Sequence, residues 1–481
     1  MKKPRISLPI IERFSRNPRF IRESNPVPVL SLLGINSNNP PNNPSYGGNN
    51  STARSNKSYN NYHSARPRPS MSLPPLSKIP GLSNFDESLV KPLPGAPLTA
   101  SEVLQVFSDR LAPLEIGEIL KYREIYYIGD VDNKPFRASY ESDYDDRKKQ
   151  YRALPNDHIN YRYQVLCYAG GGAFSTVYRC FDHKLKIPVA VKIIRAKPDC
   201  LQYAELEAKI QSKLRGNHSV RLIESFNFRG HYCLSMELLF TDIYSIVEKK
   251  DYQQLPPDSV RHITFQTLLC LREMSALGIV HADIKPENIL TNDDSLINTK
   301  VADFGTACFA EEQMFTYIQS RYYRAPEVLY GIRYGPPIDM WSLGCVVYEL
   351  IIGQPLFPAQ DEEELATMLT ISLGPPPRSI YGKASKWRLF PQNRRPEDLI
   401  IQDCDIQPIA FMVAILPRPI AKFIRACLVW DPTKRITPDE ALQTDWMQEE
   451  IKELKKKQAK MAQRPKIKEP STARRPHWHN K

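Results

Sequence analysis

One short run near the middle of the chain, HADIKPENIL at 281–290, places an acid (Asp283), an amine two residues on (Lys285) and an amide five residues on (Asn288) between apolar residues. Fifteen residues after Asn288, VADFG supplies a second acid, Asp303. Upstream, VAVK at 189–192 is an apolar run ending in a single lysine, Lys192, and GGGAFSTVY at 170–178 is a glycine-rich turn between two strand-like runs. These residue types in this order suit transfer of a phosphoryl group. Glycines let backbone N–H groups approach a triphosphate. A lysine at the end of a strand points an ammonium at phosphates. A carboxylate beside the accepting hydroxyl orients it, and an Asn/Asp pair holds magnesium. Each feature alone has an ordinary structural explanation, but the whole ordered set does not.

A lysine used in this way needs a carboxylate to hold it. The helical pattern YAELEAKIQSKL offers Glu205 and Glu207, which face different sides because they are two apart. Glu207 has Ile210 and Leu214 at i+3 and i+7 on its packing side, so it is the expected partner, and Glu205 reads as a solvated acid. Lys285 brings a further positive charge to the γ-phosphate. APE at 325–327, DMWSLGC at 339–345 and WDPTKR at 430–435 read as structural. Glu327 is expected to pair with Arg435. Asp339 is expected to brace the 281–290 loop from the start of a buried helix that ends at Gly353.

The elements that must position these groups follow from periodicity. Strand-like runs at Tyr163–Tyr168, Thr176–Phe181 and Val189–Ile194 precede long helical patterns such as 259–278. Strands first and helices later predict an α+β, bilobal architecture: a small β-rich lobe and a larger helical lobe, continuous over 163–446. Residues 97–162 form a separate region. PLTASEVLQVFSDRLAPLEIGEIL predicts a helix with Val103, Leu104, Val106, Phe107 and Leu111 at helical spacing; EIYYIG predicts a short strand and 130–158 a polar loop. Residues 1–96 are basic and rich in Asn, Pro and Ser, which predicts disorder over 24–96. Residues 447–481 are a charged helix-like run fading into a basic tail.

Charge is unevenly placed. Residues 1–96 carry +9, residues 452–481 another +9, and the body between them −6. Basic tails can meet anionic partners, but no segment combines basic and aromatic residues as a nucleic-acid module would, so no DNA partner is expected. No run approaches the roughly 18 apolar residues of a membrane span, and MKKPRISLPIIERFSRN lacks a signal-peptide apolar stretch. Nine scattered cysteines without C-x-x-C or zinc spacing read as free thiols in a reducing compartment. The expected location is the cytoplasm, with the nucleus as a second compartment.

In this order the motifs resemble a eukaryotic protein kinase over 163–446. FTYIQSRYYRAPEVLYGIRYGPPIDMWSLGC is similar to the dual-specificity tyrosine-regulated kinases of the CMGC group. The segment PLTASEVLQVFSDRLAPLEIGEILKYREIYYIG, with DHINYRYQVL, resembles the N-terminal accessory region of their class II members. The resemblance implies a Ser/Thr protein kinase that uses ATP and Mg2+ and autophosphorylates a tyrosine of its activation loop. Carried over, the catalytic set is Lys192, Glu207, Asp283 and Lys285, with Asn288 and Asp303 on the metal. ATP would meet Ala169, Gly170, Gly171, Gly172, Ala173, Phe174, Ser175, Thr176 and Val177 of the glycine-rich turn. Val177, Ala190 and Leu290 would sandwich adenine. The hinge falls on Glu237 to Leu239 behind a Met236 gatekeeper, and Asp242 falls at the ribose. The family's Y-x-Y falls on Phe315, Thr316 and Tyr317, so Tyr317 is the implied phosphorylation site, and Arg321 and Arg324 fall where its phosphate is bound. Implied partners are protein substrates, basic in character, with Ser/Thr-Pro sites and Arg upstream. Three positions depart from the family: Ser175 for glycine, Met236 for Phe, and Ala282 for Cys. Ser175 and Ala282 resemble SR-protein and splicing-associated kinases of the same group, which is the second reading. A pseudokinase scaffold would need a missing catalytic group, and every one is present.

Overall fold

The computed structural model describes residues 86–129, 140–172, 174–292, 296, 298–313, 317–389 and 406–462. Of the disorder expected over 24–96, residues 24–85 lie outside these, as does the tail beyond residue 462; within 86–96 a 3-10 turn forms at Glu87–Leu89 and Leu93 is buried. A six-stranded antiparallel sheet comes first: β1 (His158–Ile159), β2 (Tyr163–Gly171), β3 (Ser175–Asp182), β4 (Ile187–Ile194), β5 (Leu222–Phe228) and β6 (His231–Glu237), in the order β1-β2-β3-β4-β6-β5. Alternation along the strands sorts its residues onto two faces. The register Val177↔Lys192, Arg179↔Ala190, Lys192↔Leu234 and Ala190↔Met236 puts Val177, Ala190, Lys192, Leu234 and Met236 on one face. Tyr178, Cys180, Val189, Val191 and Cys233 share the other, in a cluster with Tyr144 and Tyr151.

Two short helices precede the sheet, α1 (Ala100–Val106) and α2 (Pro113–Glu118). Thr99 and Glu102 close α1 with a reciprocal capping box. Val103, Leu111, Ile119, Ile125 and Ile128 pack with Tyr161 into a separate small core. The helical pattern overshoots: a 3-10 turn at Ser108–Arg110 redirects the chain, and Val106 is left 64% exposed. EIYYIG is extended but forms one bridge, Leu98↔Ile125, in place of the expected strand. Its partner cannot continue the ladder, because Thr99 already caps α1.

This region is fastened to the sheet by a buried arginine. Arg229 and Gly230, both at positive φ (47° and 74°), form the tight turn between β5 and β6. The Arg229 guanidinium donates to Glu115 at 2.8 Å, Glu118 at 2.9 Å and the Tyr151 hydroxyl at 2.9 Å, and lies 3.8 Å from the Tyr144 ring centroid. Glu115, Asp157 and His158 lie close enough together to hold a metal ion. Here the guanidinium already bonds Glu115 and supplies the positive charge those acids need.

In the smaller lobe α3 (Pro198–Lys213) packs on the sheet; the larger lobe holds α4 (Ile243–Lys249), α5 (Pro257–Ala276), α6 (Pro326–Leu329), α7 (Pro337–Ile352), α8 (Glu362–Leu373), α9 (Arg378–Tyr381), α10 (Ile409–Met412), α11 (Arg418–Cys427), α12 (Pro438–Leu442) and α13 (Asp445–Ala462). Two small antiparallel ribbons carry the loops between lobes: β7 (Thr241–Asp242) with β9 (Ile289–Thr291) and β10 (Thr299–Val301), and β8 (Ile279–Val280) with β11 (Cys308–Phe309). α7 is buried along almost its whole length and runs through the main core. It stops at Gly353, whose φ of 85° suits glycine and where a Cβ would collide with the Tyr252 carbonyl. The expected pair forms: Arg435 meets Glu327 in a bidentate contact at 2.7 and 2.9 Å. No described helix is both long and apolar enough to cross a membrane.

Removing Arg229 would leave two buried carboxylates uncompensated, a loss of about 3–5 kcal/mol. Arg229→Ala should therefore lower the thermal midpoint and speed proteolytic cleavage within 97–157. Melting and cleavage rates equal to those of the unmodified chain would exclude this anchoring role.

Candidate active site

Lys192 extends from the cleft face of β4. Its Nζ donates to both Glu207 oxygens, at 2.7 and 2.9 Å, and to Asp303 Oδ1 at 3.0 Å. Glu207 is buried on α3 whereas Glu205 is exposed, so the helix presents the predicted acid. Burial opposes the charge on Lys192, but Asp303 and Glu207 outweigh it and hold its pKa above the ordinary lysine value. The ammonium in turn holds the Asp303 carboxyl well below the usual carboxylate range. Gly305 lies close to this group: a Cβ there would stand 3.3 Å from Asp303 Oδ1 and 3.4 Å from Lys192 Nζ.

The glycine-rich turn joins β2 to β3 beside this group. Gly172 N–H donates to the Ser175 carbonyl at 2.9 Å, and a Cβ on Gly171 would lie 3.0 Å from the Tyr168 hydroxyl. Gly170 pairs with Val177 in the ladder, Ala169 is exposed at an irregularity between Tyr168 and Gly170, and Phe174 packs toward α3. Ala173 lies outside the described residues. Thr176 is buried and alternates onto the face away from the cleft, so only its backbone borders the site. Gln150, from the segment before β1, donates to the Gly172 carbonyl at 2.9 Å and ties the turn to the upstream region.

Val177 and Ala190 share the face of Lys192, and Leu290 packs against a cluster of Val220, Met236, Leu239 and Ala302. The Glu237 carboxylate takes Lys300 at 2.5 Å and the Arg221 N–H at 2.8 Å, and the Glu237 N–H donates to the Arg221 carbonyl at 3.0 Å. Asp242 accepts from the Ser245 N–H and hydroxyl, at 2.7 and 2.6 Å, and caps α4.

The 281–290 loop forms one connected polar set. Asp283 Oδ2 accepts from Asn288 Nδ2 at 3.0 Å and pairs with Lys285 Nζ at 2.7 Å. Asp283 Oδ1 accepts from the Ser320 hydroxyl at 2.8 Å, and that hydroxyl accepts from Lys285 at 3.1 Å. His281 Nε2 donates to the Ala302 carbonyl while its Nδ1 accepts the Asp283 N–H. Burial lowers the His281 pKa and keeps the ring neutral, as this tautomer requires. Asp339, at the start of α7, accepts the N–H groups of His281 and Ala282 at 2.8 and 2.9 Å, the predicted brace. Ala282, Asp303 and Gln319 hold left-handed φ of 66°, 58° and 61°. Such strain costs about 1–3 kcal/mol each and persists only where the surroundings dictate it.

Tyr317 sits against the predicted arginines. The Arg324 guanidinium lies 4.0 Å from its ring centroid and donates to the Gln319 carbonyl at 2.9 Å; Arg321 donates to the Gln360 carbonyl. Burial would raise the Tyr317 phenol, but Arg324 and Arg321 outweigh it and lower its pKa. Phe315 and Thr316 lie outside the described residues. Ser320, Gln319 and Gln150 are site residues without a signal in the sequence.

A family model for the protein kinase domain matches residues 163–447. The chain is 38% identical over 367 residues to the human dual specificity tyrosine-phosphorylation-regulated kinase 4, covering 73% of this chain and 70% of that one. It is 36% identical over 371 residues to kinase 2 of the same name from Drosophila melanogaster, covering 73% and 51%. It is 34% identical over 392 residues to the human kinase 3, covering 74% and 66%. The chain belongs to the dual-specificity tyrosine-phosphorylation-regulated kinases.

It is thus a dual-specificity protein kinase of the CMGC group, and the splicing-type and scaffold readings are set aside. Protein kinases use ATP with a divalent metal. The carboxylate of Asp303 and the amide oxygen of Asn288 are hard oxygen donors of the kind such a cation takes. With the Asn288 nitrogen given to Asp283, that oxygen is its remaining donor atom.

Ser320 acts through Asp283 and Lys285 and is a positioning residue. Ser320→Ala should lower kcat about tenfold, the loss of one charge-assisted hydrogen bond, with the KM for ATP nearly unchanged. Ser320→Thr should restore the rate. Steady-state kinetics on one peptide checks both, and a rise in KM alone would contradict the role.

Proposed function

We propose that this kinase transfers the γ-phosphoryl group of Mg2+-bound ATP to Ser and Thr hydroxyls of protein substrates and to Tyr317 of its own activation segment. The observation that carries the reading is the joining of Lys192 to both Glu207 and Asp303. A scaffold has no need to bring a strand lysine, a helix carboxylate and a loop carboxylate together.

Lys192, oriented by Glu207, stabilises the phosphates of ATP. The backbone of the glycine-rich turn covers them. Asp283 orients the accepting hydroxyl and takes its proton as the bond to phosphorus forms, and Lys285 adds positive charge where negative charge develops. Asn288 and Asp303 would hold magnesium, whose chemistry there would be to stabilise negative charge on the phosphoryl group. Val177 and Ala190 from above and Leu290 from below pack against adenine. The −6 charge of the body favours basic substrates, and family resemblance favours Ser/Thr followed by Pro with Arg upstream. Ala282 is fully buried and engages its neighbours through its backbone, which leaves phosphate sensing to Arg321 and Arg324.

The decisive experiment incubates the purified protein with Mg2+-ATP and a peptide library and reads products by mass spectrometry. Phosphate is expected on Tyr317 and on Ser/Thr-Pro peptides with basic flanks; a preference for acidic flanks would overturn the substrate class. Asp283→Asn should slow transfer by roughly 10²–10⁴-fold, and full activity in that variant would refute the catalytic assignment. Ala282→Cys should be nearly silent in the same assay, whereas Arg321→Ala with Arg324→Ala should lower activity. Unimpaired activity in the double variant would refute their role.

A further inference from the structure

Tyr317 has a third cation beside it. Lys386 Nζ lies 5.9 Å from its ring centroid, on the same patch as Arg324. The lysine backbone is fixed to the end of α6: Lys386 N–H donates to the Tyr330 carbonyl at 3.1 Å, and the neighbouring Ser385 hydroxyl donates to the Gly331 carbonyl at 2.9 Å. Lys386 and Arg324 already share one anion. Glu362, the first residue of α8, takes Arg324 Nη1 at 3.0 Å and Lys386 Nζ at 3.2 Å on both oxygens.

We propose that Lys386 is a third ligand for the phosphate of Tyr317, completing the set begun by Arg321 and Arg324, and that Glu362 is a built-in anion that competes with that phosphate for the same cations. The proposal rests on the reading of Tyr317 as the autophosphorylated residue. Charge supports it. Three cations face one carboxylate at this patch, a surplus of two, and a tyrosine phosphate brings about −1.5 to −2. Asp361 and Glu364 keep their charge but turn toward the backbone N–H groups of Glu364 and Gln360 in the capping turn of α8, whereas the ion pairs of Arg324 and Lys386 go to Glu362. Space supports it as well: a cavity of about 460 Å³ lined by Glu362, Ser385, Lys386, Arg388 and Leu389 opens beside the lysine. Burial differs among the cations. Arg324 is 2% exposed and already committed to carbonyls, whereas Lys386, at 38%, is free to turn from Glu362 to a phosphate. In the unmodified chain Glu362 holds these two side chains in place. After modification the phosphate, with its higher charge, draws Lys386 away.

The test is the rate at which a tyrosine phosphatase, in the absence of ATP, removes Tyr317 phosphate from the full chain, followed by mass spectrometry. Lys386→Ala should speed removal about three- to tenfold, since a part-exposed charge-assisted contact is lost, and Lys386→Arg should restore protection. Glu362→Gln should slow removal by removing the competitor. Melting of the phosphatase-treated forms should agree between the unmodified chain and Lys386→Ala, which separates phosphate binding from folding. Equal removal rates in the unmodified chain, Lys386→Ala and Glu362→Gln would overturn this proposal alone. Absence of phosphate on Tyr317 in the active, unmodified chain would overturn both it and the autophosphorylation reading.

Discussion

One buried ammonium holds the active arrangement together. Lys192 comes from the sheet, Glu207 from α3 and Asp303 from a loop of the larger lobe, and the three meet within 3.0 Å. Buried ion pairs add little net stability, because desolvation offsets most of their attraction. What the contact does is fix geometry. If α3 swung outward, Lys192 would lose the buried Glu207 carboxylate that holds it through both oxygens. The penalty, about 3–5 kcal/mol for a broken buried pair, makes the assembled state the favoured one. The groups that would meet phosphates and metal are therefore in place before any ligand arrives, which is the electrostatic preorganisation that phosphoryl transfer depends on.

The region ahead of the kinase domain uses the same physics from the other side of the sheet. Alternation gives the sheet two apolar faces, and a two-faced sheet must be covered twice. α3 and the cleft cover one face. Tyr144 and Tyr151 cover the other, with Arg229 inserted from the β5–β6 turn between Glu115 and Glu118. Gln150 then reaches around the edge of the sheet to the Gly172 carbonyl. The upstream region is thus coupled to the part of the site that handles phosphates through a short, packed path: Tyr151 to Arg229 on one side, Gln150 to the glycine turn on the other.

What could be read in the sequence was whatever chemistry ties to residue type. Asp283, Lys285, Asn288, Asp303, Lys192 and Glu207 stood out because phosphoryl transfer admits few substitutes, and the structure joins them in two sets, Lys192 with Glu207 and Asp303, and Asp283 with Lys285 and Asn288. The strands and the long helices were legible from their period. Ser320 was not, because serine is common and its role arises from a fold that places it between Asp283 and Lys285. Gln319, through three side-chain hydrogen bonds, and Gln150, through one, reach partners distant in the chain or across a turn, which no local pattern encodes. EIYYIG alternates like a strand, yet strand formation needs a partner with free backbone, and a helix cap removed it. Thr176 shows the same limit within a motif: the glycine-rich turn was recognised as a unit, but alternation sends that side chain to the far face.

The strained positions explain how a loop with alanine at 282 remains intact. Ala282 takes a left-handed φ, gives its N–H to Asp339 and accepts the Gln319 N–H through its carbonyl. Gln319, also left-handed, has its side chain locked to the Ile338 carbonyl, the Ser342 hydroxyl and the Ala325 N–H, and its carbonyl receives Arg324. The segment carrying Tyr317 is therefore bonded to the loop carrying Asp283 through backbone atoms at Ala282, with no side-chain polar group required there. Arg324 stands at the junction of the two, bonded to Gln319 on one side and facing Tyr317 on the other. Charge added at Tyr317 would act on Arg324, and through Gln319 on Ala282 and its neighbour Asp283. The bonds that join the Tyr317 segment to the Asp283 loop run through a left-handed backbone and a glutamine.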